Sequence, residues 1–251
     1  MPPLPVRIAI LECDTPNDAV KAKYGRYGDI FTTLLKKGAE GLLPESSPES
    51  GLALSVFDVV DAQKYPKLED IDGIIMSGSK HNSYDNDPWI LKLVEFTKQV
   101  LAQNRVRLVG VCFGHQIIGR ALNAKVDRSE KGWEVSVLAM DLTKKGQELF
   151  GQPSLALHQM HRDIVYEYPE GVEELAYTDK CSVQGMYAAK RLLTVQGHPE
   201  FNGDIMKEIM TLRHAQGIFD DAILEDALAR ADKYHDGVVV AKAFLKFIME
   251  D

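Results

Sequence analysis

Cysteine is scarce in this chain, and its scarcity excludes two common roles for the residue. Only three cysteines occur in 251 residues, at Cys13, Cys112 and Cys181. They are too few and too widely spaced for a disulfide framework, and no two of them form the close pair typical of a structural zinc site. We therefore expect reduced thiols, a reducing compartment and a cytoplasmic location.

Long apolar runs and an excess of positive charge are also missing. Every apolar stretch is shorter than the roughly 20 residues that a membrane-spanning helix needs, and the first residues lack the features of a signal peptide. The formal net charge is −8, from 29 basic and 37 acidic residues. This balance argues against a general nucleic-acid or anionic membrane surface. We therefore expect no nucleic acid and no membrane among the partners.

The chain alternates short apolar segments with segments of helical spacing, a pattern that predicts an α/β fold with a mostly parallel central sheet. A helix is predicted from Asp29, as its cap, to Lys37, followed by a polar loop from Glu40 to Gly51. Pro88 is placed to begin another helix that runs to Gln103. The β-rich stretches later in the chain are less regularly separated by helices, so part of the sheet is expected to be antiparallel.

Domain organisation follows from the same pattern. Apart from that polar loop, no interdomain linker, repeat or low-complexity tract interrupts the chain. From Gly203 to Glu250 the pattern is helical, broken near Gly217 and Gly237. We expect a single domain over residues 1–251, with a core at about 6–202 and a helical C-terminal extension at about 203–251.

The most informative segment runs from Gly110 to Gln116, where an apolar strand leads directly into helix-compatible sequence. Cys112 stands at the turn, with Gly110 and Gly114 two residues away on either side. Glycines at these places permit the sharp reversal known from the serine version of this elbow. The first amides of the following helix favour thiolate over thiol. A buried structural cysteine is the alternative, but the strand-to-helix context favours a reactive nucleophile.

A cysteine nucleophile needs a base, and the base needs a group that orients it. His198-Pro199-Glu200 ends an apolar strand and can supply both. Residues i and i+2 of extended backbone share a face, so the His198 imidazole and the Glu200 carboxylate can meet. Pro199 restricts His198 to extended conformations. A carboxylate on one ring nitrogen would fix the tautomer and leave the other nitrogen for the sulfur.

Together, the Cys112 elbow and the distant His198-Pro199-Glu200 segment resemble the class I glutamine amidotransferase domain. The resemblance covers roughly residues 6–202. It implies a flavodoxin-like three-layer sandwich in which Cys112 is the nucleophile, His198 the base and Glu200 the residue that orients it. It also implies a γ-glutamyl thioester on Cys112, with Gln116 among the residues that hold the glutamyl substrate.

Further segments resemble parts of the same family. The segment from Ile74 to His81 matches the strand and loop of the family's oxyanion hole, although serine and lysine follow Gly78 where the family pattern has glycine and proline. Because backbone amides do not depend on side-chain identity, an oxyanion hole from Gly78 or Ser79 with Phe113 is expected. Trp133 and His161 lie in segments that resemble those near the glutamyl pocket, and we expect both to bind substrate.

Metal and cofactor sites are not expected. His158 and His161 have a spacing that could suit a metal pair, but no third ligand is evident nearby in the sequence. No glycine-rich phosphate loop with a lysine occurs either.

The resemblance leaves several functions open. The stretch after Glu200 is too short for an ATP-using synthetase, so no acceptor domain is expected within this chain. The segments around Ser79, Tyr27 and Phe201 resemble the stand-alone branch that includes the plant γ-glutamyl peptidases. This favours a hydrolase of γ-glutamyl amides such as glutamine, glutathione or γ-glutamyl conjugates, with the loop from Ser79 to Asp87 reading the part beyond the glutamyl group. The alternatives are a glutaminase subunit that passes ammonia to a synthetase partner and a non-catalytic binding module.

Overall fold

A mixed sheet of nine strands forms the centre of the part of the chain that the structure describes. The computed structural model describes residues 4–43 and 51–250, so most of the predicted loop from Glu40 to Gly51 lies outside the described residues. The strands are β1 (Val6–Glu12), β2 (Leu52–Asp58), β3 (Gly73–Met76), β4 (Arg107–Val111), β5 (Val126–Arg128), β6 (Glu134–Leu142), β7 (Ser154–His161), β8 (Asp163–Val165), β9 (Glu173–Tyr177), β10 (Gly185–Ala188) and β11 (Leu192–Val195). The helices are α1 (Asp18–Tyr24), α2 (Tyr27–Ala39), α3 (Pro88–Gln103), α4 (Phe113–Ala121), α5 (Lys144–Phe150), α6 (Gly203–Ala215), α7 (Asp221–Leu228) and α8 (Gly237–Met249).

The sheet has a parallel half and an antiparallel half. Its strand order is β2-β1-β3-β4-β11-β10-β9-β6-β7, and β5 pairs with β8 in a separate ribbon. The first five strands of that order are parallel to one another. The remaining strands join through antiparallel pairs, in the region where the sequence predicts such strands.

Helices cover both faces of the parallel half. Ile8 and Ile10 of β1 face a core formed with α2 and α8, whereas Ala9 and Leu11 face a core formed with α3 and α4. The C-terminal helix α8 belongs to one of these layers. Its Phe244 is fully buried, a burial that contributes about 2–3 kcal/mol to stability. This arrangement confirms the three-layer sandwich implied by the resemblance.

Two short helices are absent from the sequence prediction. α1 and α5 each have seven residues, too few to display an amphipathic repeat. Their signals are the caps instead, because the side chains of Asn17 and Thr143 each accept a backbone N–H from the first turn. The prediction that Asp29 caps α2 is wrong, because the N-cap residue is Arg26. Asp29 lies inside the first turn, where its carboxylate accepts the N–H of Arg26 at 2.8 Å.

The parallel strands place the predicted site at one edge of the sheet. Val111 of β4 lies opposite Val195 of β11, and β3 flanks β4 on the other side. The carboxyl ends of these three strands therefore point the same way, as at the ligand-binding edge of other open α/β sheets. The loops that follow them carry Gly78, Cys112 and His198. Among the described residues, no helix is both long and apolar enough to cross a membrane.

Candidate active site

Cys112 lies in the turn between β4 and α4, with φ of 50° and ψ of −103°. Residues with a side chain seldom adopt this region, which recurs at functional turns. The two flanking glycines are required by close contact. A Cβ on Gly110 would lie 2.7 Å from the carbonyl group of Gly114, and a Cβ on Gly114 would lie 2.6 Å from the backbone oxygen of Met76. The predicted elbow is therefore present, with Cys112 immediately before the first residue of α4.

His198 follows β11 and is fixed from several directions. Its Nδ1 atom lies 2.8 Å from Oε1 of Glu200, and its ring stacks on Phe201 with a centroid distance of 4.0 Å. A Cβ on Gly78 would lie 2.6 Å from Cε1 of His198 and 3.6 Å from Cβ of Cys112. The imidazole and the cysteine thus both lie against this glycine, which leaves no room for a side chain.

The electrostatics of His198 are set by its two partners. Burial by itself lowers the pKa of the imidazole, but the Glu200 carboxylate and the Cys112 side chain outweigh burial and raise this pKa to about 10. The imidazole is therefore protonated at neutral pH. A protonated ring beside Cys112 stabilises a thiolate there.

The backbone amides predicted to form an oxyanion hole are near the cysteine. Gly78 and Ser79 follow β3, and Phe113 begins α4 directly after Cys112. The N–H groups of Gly78, Ser79 and Phe113 make no hydrogen bond to another residue of the described ranges. They are thus free to donate to an oxygen atom of a bound ligand.

Gln116 is buried beside a cavity of about 220 Å³ that Cys112 also lines, here called the inner cavity. Its side-chain Nε2 donates to the backbone oxygen of Asp163 at 2.8 Å, and its Oε1 accepts from Oγ of Ser83 at 3.0 Å. Contacts at both ends fix the orientation of the amide, so Gln116 is a rigid part of the cavity wall.

Trp133 and His161 line the same inner cavity. Nε2 of His161 lies 3.0 Å from Oε2 of Glu134, its cross-strand neighbour on β6. Glu134 is also buried, and it accepts hydrogen bonds from Thr178 and Gln184 at 2.7 Å each. Burial raises the pKa of Glu134, but His161 and Thr178 outweigh this effect and the pKa is lowered. A charged carboxylate therefore lies behind this wall of the cavity.

A second cavity of about 670 Å³ shares several lining residues with the first, and is here called the outer cavity. Ser79 and Arg213 line both cavities, whereas His198, Tyr27 and Asn17 line the outer one. Sequence reasoning misses Arg213, because the helical spacing of apolar residues around it predicts core packing. A basic residue in the last turn of α6 is the only local signal, and it gives no hint of the cavity.

The two histidines considered as a metal pair lie in different surroundings. His161 contacts Glu134, whereas the ring of His158 lies 4.8 Å from that of His235. Burial lowers the pKa of His158 to about 3, so its ring stays neutral. Within residues 4–43 and 51–250, no three His, Cys, Asp or Glu side chains are grouped to hold a metal ion.

Comparisons with known proteins identify relatives over most of the chain. The family profile described as glutamine amidotransferase class-I matches residues 41–213. A glutamine amidotransferase-like protein of Schizosaccharomyces pombe is 36% identical over 248 residues, which cover 97% of this chain and 98% of that protein. Gamma-glutamyl peptidase 2 of Arabidopsis thaliana is 30% identical over 251 residues, with 96% of each chain covered.

Solved structures show the same fold at lower sequence identity. The crystal structure of a glutamine amidotransferase from Thermotoga maritima superposes with a TM-score of 0.70 at 18% identity, and the match covers 98% of this chain and 99% of that one. The family profile and the fungal relative each extend over most of the described sheet. The chain therefore belongs to the class I glutamine amidotransferase family.

Proposed function

We propose that the protein hydrolyses γ-glutamyl amide bonds through a γ-glutamyl thioester on Cys112. One observation carries the proposal: Cys112, Gly78 and the His198–Glu200 pair meet where the inner and outer cavities join. A nucleophile, an imidazole that can donate and then accept a proton, and a carboxylate that orients the imidazole are the parts that acyl transfer requires.

In the first half of the reaction, the Cys112 thiolate attacks the γ-carbonyl carbon of the substrate. The carbonyl oxygen becomes an oxyanion, and the N–H groups of Gly78 or Ser79 and of Phe113 stabilise it. The protonated imidazole of His198 then donates its proton to the leaving nitrogen. The carbon–nitrogen bond breaks, the amine departs, and the glutamyl group remains on sulfur as a thioester.

In the second half, water replaces the amine. The now neutral imidazole of His198 takes a proton from the water as the water oxygen attacks the thioester carbon. The carbon–sulfur bond breaks, glutamate leaves, and the Cys112 thiolate and protonated His198 are restored. Glu200 keeps the ring oriented through both halves, while Gln116, Trp133 and His161 surround the glutamyl group in the inner cavity.

The fate of the leaving amine separates hydrolysis from its alternative. A glutaminase subunit would perform the same steps on glutamine and pass the ammonia to a separate synthetase. Hydrolysis is favoured because the outer cavity lies directly beyond His198 and has space for a leaving group larger than ammonia. The name of the Arabidopsis relative points the same way.

Small molecules are the proposed substrates, and the cytoplasm is the proposed compartment. All three cysteines are free and buried, which fits a reducing compartment.

The proposal is tested by incubating the purified protein, without ATP or a second protein, with glutamine, glutathione and a γ-glutamyl dipeptide. Glutamate release is followed by mass spectrometry, and Cys112→Ala is expected to lower it at least about 10⁴-fold. Cys13→Ala is the matched control, because Cys13 is another buried cysteine at the carboxyl end of a parallel strand. Full turnover in Cys112→Ala would exclude the thioester, and stimulation only by a synthetase would favour the glutaminase alternative.

A further inference from the structure

The cavities are electropositive although the chain as a whole is acidic. Four lysine or arginine side chains line the inner cavity, against one aspartate. That aspartate, Asp163, pairs with Arg128 at 3.3 Å, and Asp14 in the outer cavity pairs with Lys80 at 2.9 Å. Arg162 and Arg213 are the two remaining basic residues of the inner cavity. Neither guanidinium has a hydrogen bond or ion pair to any residue in the described parts of the chain, and each contacts the Trp133 ring instead.

These two guanidinium groups are gathered around one aromatic ring. The guanidinium carbon of Arg162 lies 5.2 Å from the centroid of Trp133, and that of Arg213 lies 5.1 Å from it. Phe219, in the loop between α6 and α7, packs edge-on against the same indole with a centroid distance of 5.0 Å. Burial lowers the pKa of Arg213 and outweighs the Cys112 and Tyr27 side chains, which raise it. The nearby charge of Arg162 lowers this pKa further.

Such an arrangement is costly without a ligand. Two like charges are held close together and partly out of water, and a cation–π contact returns only about 0.5–2 kcal/mol to each. An anion bound between them would remove the repulsion and supply charge-assisted hydrogen bonds to both side chains. The Arg162–Trp133–Arg213 cluster therefore has the chemistry of a carboxylate-binding site.

The position of the cluster indicates which carboxylate it would bind. His198 donates the proton to the leaving amine and lines the outer cavity, so the leaving group lies on that side of Cys112. Arg213 lines both cavities and so lies beside the path of the leaving group. Gln116, Cys112 and Arg162, in contrast, line only the inner cavity, where the glutamyl group is held. Arg213 is therefore the member of the cluster that reaches the leaving group.

We infer that Arg213 binds a carboxylate on the amine part of the substrate. The inference rests on the proposed γ-glutamyl hydrolysis and specifies its substrate class. The preferred substrates are γ-glutamyl peptides with a free C-terminal carboxylate. Glutamine, whose leaving group is ammonia, cannot use this contact.

Calorimetry with Cys112→Ala protein, which cannot turn substrate over, measures this recognition directly. The two ligands are a γ-glutamyl dipeptide with a free C-terminus and the same dipeptide as its C-terminal amide. Adding Arg213→Gln is expected to weaken the free dipeptide about 10- to 100-fold, the effect of losing a hydrogen bond to a charged group. Binding of the amide should change less than about twofold, which also shows that the variant is folded.

Lys207→Gln is the matched control, because it removes one positive charge from the same helix where Lys207 pairs with Asp232 at the surface. Arg162→Gln is the second variant and should weaken both ligands alike, because Arg162 lines only the inner cavity. Equal weakening of both ligands by Arg213→Gln would assign Arg213 to the glutamyl group and overturn the inference, as would unchanged binding or no binding by Cys112→Ala protein. The proposed function fails by a different result, which is absence of glutamate release by the unmodified protein while selective binding persists.

Discussion

Two buried histidine–glutamate pairs lie beside the two cavities, His161 at the inner one and His198 at the outer one, but they are built differently. In the first, Nδ1 of His198 is hydrogen-bonded to Glu200 at 2.8 Å, and the other oxygen of Glu200 has no partner among the described residues. In the second, Nε2 of His161 lies 3.0 Å from Glu134 without the alignment of a hydrogen bond. Thr178 and Gln184 hold the Glu134 carboxylate instead.

The difference shows which carboxylate is dedicated to its histidine. Glu200 is committed to His198 alone, so its charge and its geometry both act on the ring that faces Cys112. Glu134 is shared among three side chains from three strands or loops, which is the pattern of a carboxylate that holds a fold together. The first pair is therefore the proposed catalytic pair, and the second is the proposed support of the glutamyl pocket.

Replacing each carboxylate by its isosteric amide should reveal the largest difference between the two pairs, which is a difference in catalytic activity. Glu200→Gln is expected to lower kcat about 10³- to 10⁴-fold, because the imidazole loses both its orientation and its charge partner. Glu134→Gln should lower kcat/KM by no more than about tenfold. Steady-state kinetics on a γ-glutamyl dipeptide measures both, and equal losses in the two variants would contradict the division of roles.

Stability should respond in the opposite order. Glu134→Gln replaces a carboxylate that accepts two buried hydrogen bonds, and the free energy of unfolding should fall by about 1–3 kcal/mol. Urea titration followed by circular dichroism measures this fall. A smaller fall is expected for Glu200→Gln, which has one hydrogen-bond partner; a larger fall there would reverse the comparison.

His198 is also expected to make the stability of the protein depend on pH. Its pKa is about 10 in the folded protein against 6.5 for the free side chain, so the folded state favours the protonated ring. The stabilisation is complete below about pH 6.5 and is lost as pH rises towards 10. The difference in unfolding free energy between the unmodified protein and His198→Gln should narrow over that window, and a difference that widens would contradict the raised pKa.

Much of the site follows from local sequence because its parts sit at strand ends. The Cys112 elbow is a continuous segment whose glycines are explained by contacts of 2.6–2.7 Å. His198 and Glu200 are two residues apart on extended backbone, so their contact is also local. The parallel order of the strands then brings Gly78, Cys112 and His198 to one edge, as the family resemblance implies.

The rest depends on tertiary packing that no local pattern encodes. Arg162 and Arg213 come from distant segments, and only the folded chain brings both guanidinium groups to the Trp133 ring. The Glu134–His161 contact depends on the register of β6 against β7, and a slip of one residue would place the two side chains on opposite faces of the sheet. The caps of α1 and α5 are single side chains with no repeat behind them.

The central claim is a glutamyl thioester on Cys112, and mass spectrometry of acid-quenched protein tests it most directly. The protein is mixed with excess γ-glutamyl dipeptide and quenched during turnover, and its peptides are mapped. The account predicts a glutamyl adduct on the peptide that contains Cys112 and none in Cys112→Ala protein. An adduct confined to another residue, or undiminished dipeptide cleavage after Cys112 has been alkylated, would contradict it.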